Sequence, residues 1–284
     1  MARKFTRRRW RRPERMTLEA PSASRRKNLG PPDILTLETD LERQAARRRA
    51  SALVSVYVVV AAIEGLVIGI PLRMIWLAPC FVVLAILYVA FVRAFGGRML
   101  AKTLGAEAAR NPRLNRYGHN LAVATGMAEP NVLIVRSDRP NAFAIGLAPH
   151  AVVATTGSLN IEDLTLEGLM AHAVVRIRDG DAALSSLYIA LAGLDVLKAN
   201  ALTAPAAIVL LPAGLVIRAL RRLWFPRDDK HRADVAAAML TRYPPGVSTA
   251  LRAAQGDKPP GPAVGAAFWF APTDDERARL IDEM

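Results

Sequence analysis

Two long apolar segments dominate the pattern of hydrophobic and polar positions along the chain. Residues 52–70 (ALVSVYVVVAAIEGLVIGI) form a run of 19 residues, which is long enough for a helix to cross a hydrocarbon core of about 30 Å. A short turn over residues 71–74 separates this run from residues 75–92 (IWLAPCFVVLAILYVAFV). The pattern therefore predicts a transmembrane helical hairpin over residues 51–93.

A second pair of apolar segments follows at residues 182–197 and 201–217. The first is short and carries Asp195 near its end, and the second is interrupted by Pro205 and Pro212. Segments of this length occur both as membrane helices and as buried core helices. We favour membrane helices, so that the chain has about four transmembrane helices in total.

The remaining residues show the signals of a mixed helical and stranded domain. Turn residues separate predicted strands at 132–135, 142–145 and 151–155 from predicted helices at 111–125 and 164–178. Further helices are predicted over residues 228–242 and 274–284, with YPPG at 243–246 as a stop. The fold class is therefore an α+β membrane protein. Its non-membrane domain consists of residues 94–181 and 221–284, with the second apolar pair (182–220) between them.

Positive charge is concentrated beside the predicted hairpin. Residues 1–50 contain 15 Lys and Arg against 6 Asp and Glu, which is +9 of the total of +13. An excess of Lys and Arg marks the cytoplasmic side of a membrane protein. We therefore expect a multi-pass protein of the inner (cytoplasmic) membrane with both termini in the cytoplasm. Residues 1–50 are predicted to be a disordered basic arm that contacts membrane lipids. A basic arm that tethers nucleic acid to the membrane is a third hypothesis, ranked below lipid contact because RRRWRR has too little aromatic interleaving.

Six short motifs occur in a characteristic order. They are NPRL (111–114), PNAFAIG (140–146), VVATTG (152–157), LEGLMAH (166–172), AD (233–234) and ERARL (276–280). This order resembles the HtpX-type membrane zinc metalloproteases, relatives of the CAAX prenyl proteases, from about residue 52 to the C-terminus. The resemblance implies a cytoplasmic zincin-like domain of helices and a small sheet, with a role in proteolytic quality control of membrane proteins.

The residues that perform the chemistry of that family are mostly replaced. In an HExxH helix, two histidines bind zinc and the glutamate activates a water molecule. The resemblance places His172 at the first histidine, Ala173 at the glutamate and Arg176 at the second histidine. It places Lys230 at the third, glutamate ligand. Alanine cannot accept a proton, and a guanidinium stays protonated and has no acceptor.

A cation also repels zinc directly. At about 4 Å in a protein-like dielectric, the repulsion is on the order of 4 kcal/mol per unit charge. We therefore predict a degenerate HExxH motif in which His172 is the only retained ligand position, no metal site and no cofactor.

The resemblance also assigns residues around the lost zinc site. It assigns peptide binding to an edge strand containing Asn141, Ala142, Phe143 and Ala144, which an extended peptide can join by main-chain hydrogen bonds. Asp234 and Asp181 match acidic residues behind the metal ligands, and we expect Asp234 to neutralise Arg176 or Lys230.

Two functions remain open on these residues. One is a pseudoprotease that binds peptide segments or another membrane protein. The alternative is an active zinc metalloendopeptidase with non-standard ligands.

Overall fold

The computed structural model describes residues 34–192, 209–220, 228–254 and 275–284. Its α-helices are α1 (Ile34–Gly69), α2 (Leu77–Thr103), α3 (Pro112–Thr125), α4 (Asp163–Asp179), α5 (Asp181–Ala192), α6 (Leu211–Ala219), α7 (Asp228–Thr241), α8 (Pro244–Ala253) and α9 (Asp275–Asp282). Its strands are β1 (Glu107–Ala108), β2 (Asn131–Val135), β3 (Ala142–Ile145) and β4 (Ala151–Thr155). These elements confirm a mostly helical fold with a small mixed sheet.

Helices α1 and α2 form the predicted hairpin. Leu53, Tyr57 and Ala61 are spaced four residues apart and are at most 1% exposed, so they form one buried stripe on α1. The ring of Tyr57 stacks on that of Tyr88 in α2, with ring centroids 6.3 Å apart. A Cβ on Gly65 would lie 2.7 Å from the backbone of Ala78, so glycine permits the close approach of the two helices near their turn.

The outer faces of the hairpin are apolar and uncovered. The most apolar windows of Asp40–Gly69 and Leu77–Thr103 each have a mean hydropathy of 2.3, yet only 28% and 22% of their residues are buried inside the protein. The exposed side chains include Val59, Ile63, Val67, Val83, Ile86 and Leu87, which are between 52% and 65% exposed. A core helix of a soluble protein would be covered, whereas this surface suits lipid. The chain is therefore a membrane protein.

The N-terminal boundary of the hairpin differs from the sequence prediction. Helix α1 begins at Ile34 and continues without interruption into the apolar segment. Residues 34–50 are thus helical, although the sequence placed them in a disordered arm. Their Glu, Arg, Ala and Leu residues have high helix propensity, and the membrane helix that follows removes the cost of nucleation. Residues 1–33 lie outside the described part of the chain.

The four strands form one sheet in the order β1-β2-β4-β3. Strands β2 and β4 are parallel, with Val132 opposite Val152, and β3 pairs antiparallel with β4. Strand β3 lies at one edge, as predicted. Strand β1 was not predicted, because its two residues have no alternating pattern and are defined by pairing with β2.

The NPRL motif sets the start of α3 and links it to α4. The Oδ1 atom of Asn111 accepts hydrogen bonds from the backbone N–H groups of Arg113 (2.9 Å) and Leu114 (3.4 Å), which caps the helix. The Arg113 guanidinium donates to the backbone oxygen of Ile161 at 2.6 Å and pairs with Asp163 in the first turn of α4. This arginine therefore fixes the N-terminal end of the helix that carries His172.

Helix α8 begins where the sequence predicted only a stop. Its Pro244 occupies the first helical turn, where a missing N–H costs nothing. A Cβ on Gly168 of α4 would lie 2.9 Å from Gly246 and Val247, so the glycine of the LEG motif permits α8 to pack closely on α4.

Helices α5 and α6 are the described parts of the second apolar pair. All residues of α5 from Leu184 to Ala192 are buried. The Tyr88 hydroxyl of α2 donates to the backbone oxygen of Ala190 at 3.1 Å. Helix α5 is shorter than a membrane span, and residues 193–208 lie outside the described part of the chain. That the second pair crosses the membrane, and the total of about four spans, stay predictions.

Candidate active-site cluster

Helix α4 runs through the centre of the domain and carries the degenerate motif. It packs against α7 and α8 on one side and against β3 on another. His172 is 2% exposed, Ala173 is fully buried and Arg176 is 8% exposed. Since His172 and Arg176 are four residues apart, they share one face of the helix.

His172 faces a carboxylate that is bound by an arginine. Its Nδ1 lies 2.9 Å from Oδ1 of Asp234 on α7. Asp234 is fully buried, and Arg277 of α9 donates to its two carboxylate oxygens at 2.7–2.9 Å through Nε and Nη2. We call His172, Asp234 and Arg277 the polar cluster. It links α4, α7 and α9 by charge-assisted contacts.

Burial sets the protonation of this histidine. Desolvation lowers the pKa of His172 to about 4, although the Asp234 carboxylate opposes that change. The nearby guanidinium groups of Arg176 and Arg277 lower it further. The imidazole is therefore neutral at pH 7, and Asp234 holds its Nδ1 side, so that Nε2 is directed away from the carboxylate.

Arg176 is directed towards α5. Its Nη2 donates a hydrogen bond of 2.9 Å to Oγ of Ser185, which is fully buried. Asp181 lies one helical turn before Ser185, in the first turn of α5. The second-histidine position of the family is thus occupied by a buried arginine that bonds to a neighbouring helix.

The predicted peptide-binding residues lie on the edge strand. Asn141 donates its backbone N–H to Oγ1 of Thr155 at 2.8 Å and accepts from the Thr155 N–H at 2.9 Å. Because hydrogen-bonded positions alternate in an antiparallel pair, the N–H and C=O groups of Ala142 and Ala144 point away from β4. Ala142, Phe143 and Ala144 are nevertheless at most 1% exposed, so the edge is covered in this conformation.

The structure brings together only part of the predicted site. His172, Asp234 and Arg176 lie near one another, and Asp234 is bound by Arg277, a partner that the sequence did not predict. Lys230 lies on α7 one turn before Asp234, and its side chain lies outside the described part of the chain. His119 is 59% exposed and contacts Glu129 at the surface, away from the cluster.

Sequence reasoning did not identify two residues of this region, Arg277 and Ser185. Arg277 lies within the ERARL motif, so the motif carried a signal, but its partner is 43 positions away. Ser185 lies in an apolar run and carried no signal.

The residues present do not fit a zinc ion. Zinc sites in enzymes use three protein ligands drawn from His, Asp, Glu and Cys. His172 offers one nitrogen, while the buried Arg176 places a guanidinium one turn away on the same face. Within the described side chains, no three His, Cys, Asp or Glu groups converge on one point. Ala173 supplies no base for a bound water.

Comparison with known proteins identifies the family of this domain. The sequence profile of peptidase family M48 matches residues 108–283, which include His172, Arg176, Asp234 and Arg277. The chain therefore belongs to peptidase family M48.

Relatives described as "Protease HtpX homolog" support this assignment. The one from Tropheryma whipplei (strain TW08/27) is 33% identical over 189 residues, covering 58% of this chain and 65% of the relative. Those from Dictyoglomus turgidum and Acidiphilium cryptum are 31% and 32% identical over 160 and 163 residues, covering 53% and 57% of their own lengths. The matches thus span about half to two thirds of these relatives.

Proposed function

We propose that this chain is a non-catalytic member of its family, which binds a peptide segment or a partner protein without cleaving it. The observation that carries the proposal is Arg176, a buried cation that bonds to Ser185 at a position where zinc enzymes of this type need a neutral ligand. The metal-dependent step of proteolysis requires a Lewis acid and an activated water. This site supplies neither.

The absence of a base next to His172 supports the same proposal. Ala173 is fully buried among apolar side chains of α4. A glutamate at this position would take a proton from the attacking water, and a methyl group cannot. Loss of the base and of a ligand at once is consistent with a helix retained for its packing and not for proteolysis.

Binding is supported by the position of β3 more than by Arg176. The outward backbone groups of Ala142 and Ala144 can pair with an extended peptide once the edge is uncovered. Arg176, being 8% exposed and bonded to Ser185, is poorly placed to capture an acidic peptide. We therefore assign peptide contact to the β3 backbone and a structural role to Arg176.

One assay separates binding from cleavage. A fluorescently labelled, unfolded casein-like substrate is incubated with the purified full-length protein in detergent, with and without a metal chelator. We expect complex formation by anisotropy and an intact substrate by gel, with no effect of the chelator on either. Chelator-sensitive fragments would show an active metalloendopeptidase instead. If the substrate is neither bound nor cleaved, the binding role is contradicted.

The proposed topology places the domain of α3, α4 and the sheet in the cytoplasm. The arginines that flank the hairpin support it. We expect a cysteine at position 72, in the turn, to react with an impermeant reagent in intact cells of a Cys80→Ser background. A cysteine at position 120, on the exposed side of α3, should stay unreacted, and its labelling would reverse the orientation.

A further inference from the structure

A cavity outside the polar cluster is lined by four arginines. It has a volume of about 530 Å³ and lies between α1, α2 and the turn that joins α4 to α5. Arg43 and Arg47 line it from α1, Arg93 from α2 and Arg178 from the end of α4. We call this the arginine cavity. Neither the family's proteolytic chemistry nor the proposed peptide contact uses it.

The arginine cavity lies at the level where the hairpin leaves the membrane. Arg93 directly follows the apolar run that ends at Val92, and Arg47 precedes the first apolar run by about one helical turn. Headgroups of the lipid bilayer occupy this level. The cavity wall also includes Ile177 and Leu184, so that an apolar surface adjoins the cationic one.

Two of the arginines are held in place by the protein. Nε of Arg43 donates to the backbone oxygen of Arg178 at 2.8 Å, and Arg178 pairs with Asp179 at 2.7 Å. These contacts join α1 to the end of α4. Held side chains lose less conformational entropy when a ligand binds.

The other two arginines remain available to a ligand. Arg47 and Arg93 are both exposed, and within the described part of the chain they make no ion pair or hydrogen bond. Arg43 pairs with Asp40 at 3.4 Å, as Arg178 does with Asp179, so the excess positive charge of the cavity comes from Arg47 and Arg93. Since no ion pair within the described part of the chain occupies these two exposed guanidinium groups, both can bind an external anion.

We propose that the arginine cavity binds the phosphate group of an anionic phospholipid. Guanidinium forks bind phosphate oxygens in pairs, and basic pockets beside membrane helices suit anionic headgroups. The cavity is large enough for a glycerophosphate headgroup. The bound lipid joins the hairpin to the C-terminal end of α4, because Arg47 and Arg93 contact one side of it and Arg178 the other.

Lipid retention by the full-length protein tests this proposal. The protein is purified in mild detergent from vesicles containing phosphatidylglycerol and phosphatidylcholine, and retained lipid is counted by native mass spectrometry. We expect one tightly held phosphatidylglycerol per chain. The double variant Arg47→Gln with Arg93→Gln should bind it about thirtyfold more weakly, at roughly fivefold per arginine.

Two further variants make the result specific. Arg98→Gln removes an exposed charge from the same helix but not from the cavity, and it should retain the lipid. The double variant Arg47→Lys with Arg93→Lys keeps the positive charge but loses the paired N–H donors of the guanidinium groups. It should bind phosphatidylglycerol with intermediate affinity. All variants should melt at the wild-type temperature in phosphatidylcholine alone, because Arg47 and Arg93 have no ion pair or hydrogen bond with any residue that the structure describes.

Three results would overturn the proposal. One is equal retention of phosphatidylcholine and phosphatidylglycerol. Another is an equal loss of lipid in the Arg98→Gln variant, which would indicate general attraction to the surface. The third is full displacement of the lipid by millimolar inorganic phosphate or glycerol phosphate, which would make the cavity a site for a free phosphate.

Discussion

Restoring three side chains together should give this protein a zinc site. The triple variant Ala173→Glu, Arg176→His and Lys230→Glu is expected to bind close to one zinc per chain, whereas the wild type binds well under one. The expected gain in zinc affinity is large because the change replaces two cationic side chains by zinc ligands. Each cation would repel the zinc ion by roughly 4 kcal/mol per unit charge at 4 Å. His172 is already oriented by Asp234, which is the arrangement that fixes a zinc-binding imidazole.

The single variant Ala173→Glu is the matched control for this experiment. It restores the base and no ligand, so zinc content should stay at the wild-type level. Elemental analysis after dialysis measures the zinc content of the single and the triple variant. Circular dichroism checks that α4 still folds. Zinc bound equally by the wild type and the triple variant would show that Arg176 does not block the site.

Breaking the polar cluster should destabilise the domain strongly. Asp234→Ala leaves the guanidinium of Arg277 and the imidazole of His172 without their buried carboxylate. Removing one partner from a buried pair costs about 3–5 kcal/mol. For a chain of this size, that corresponds to a fall in apparent Tm of roughly 10 °C, measured by thermal unfolding of the detergent-solubilised protein.

An exposed pair that also involves α9 supplies the control. Arg252 of α8 pairs with Asp282 of α9, and their side chains are 50% and 38% exposed. Arg252→Ala should leave the Tm nearly unchanged, since solvent screens the charges of such an exposed pair. Similar Tm values for Asp234→Ala and Arg252→Ala would show that the cluster adds little to the stability of the domain.

The elements of this fold could be predicted where local patterns determine them. The two ends of α3 could be predicted from Asn111 and Pro112 at its start and Gly126 at its end. A capping side chain and a left-handed glycine determine a helix end through residues that are close in sequence. The strands followed from short apolar runs between turns. Helix α8 was missed because YPPG has the composition of a stop, and the packing of Gly246 on Gly168 is not a local property.

The site could be predicted only as a set of replaced positions. The spacing within α4 placed His172 and Arg176 on one face, which the structure confirms. Partners across the chain could not be assigned, because Asp234 had several cations available in sequence and its choice of Arg277 depends on how α9 packs against α7. For the arginine cavity, the sequence predicted only that positive charges flank the hairpin. The cavity itself could not be predicted, because it forms where α4 approaches the hairpin in the folded structure.

The zinc content of the wild-type protein tests the central claim most directly. The full-length chain is purified in mild detergent without chelators, and zinc per chain is measured by elemental analysis. The proposed non-catalytic role predicts well under one zinc per chain, even after incubation with micromolar zinc and dialysis. One zinc per chain, removed by a chelator together with cleavage of an unfolded substrate, would contradict it.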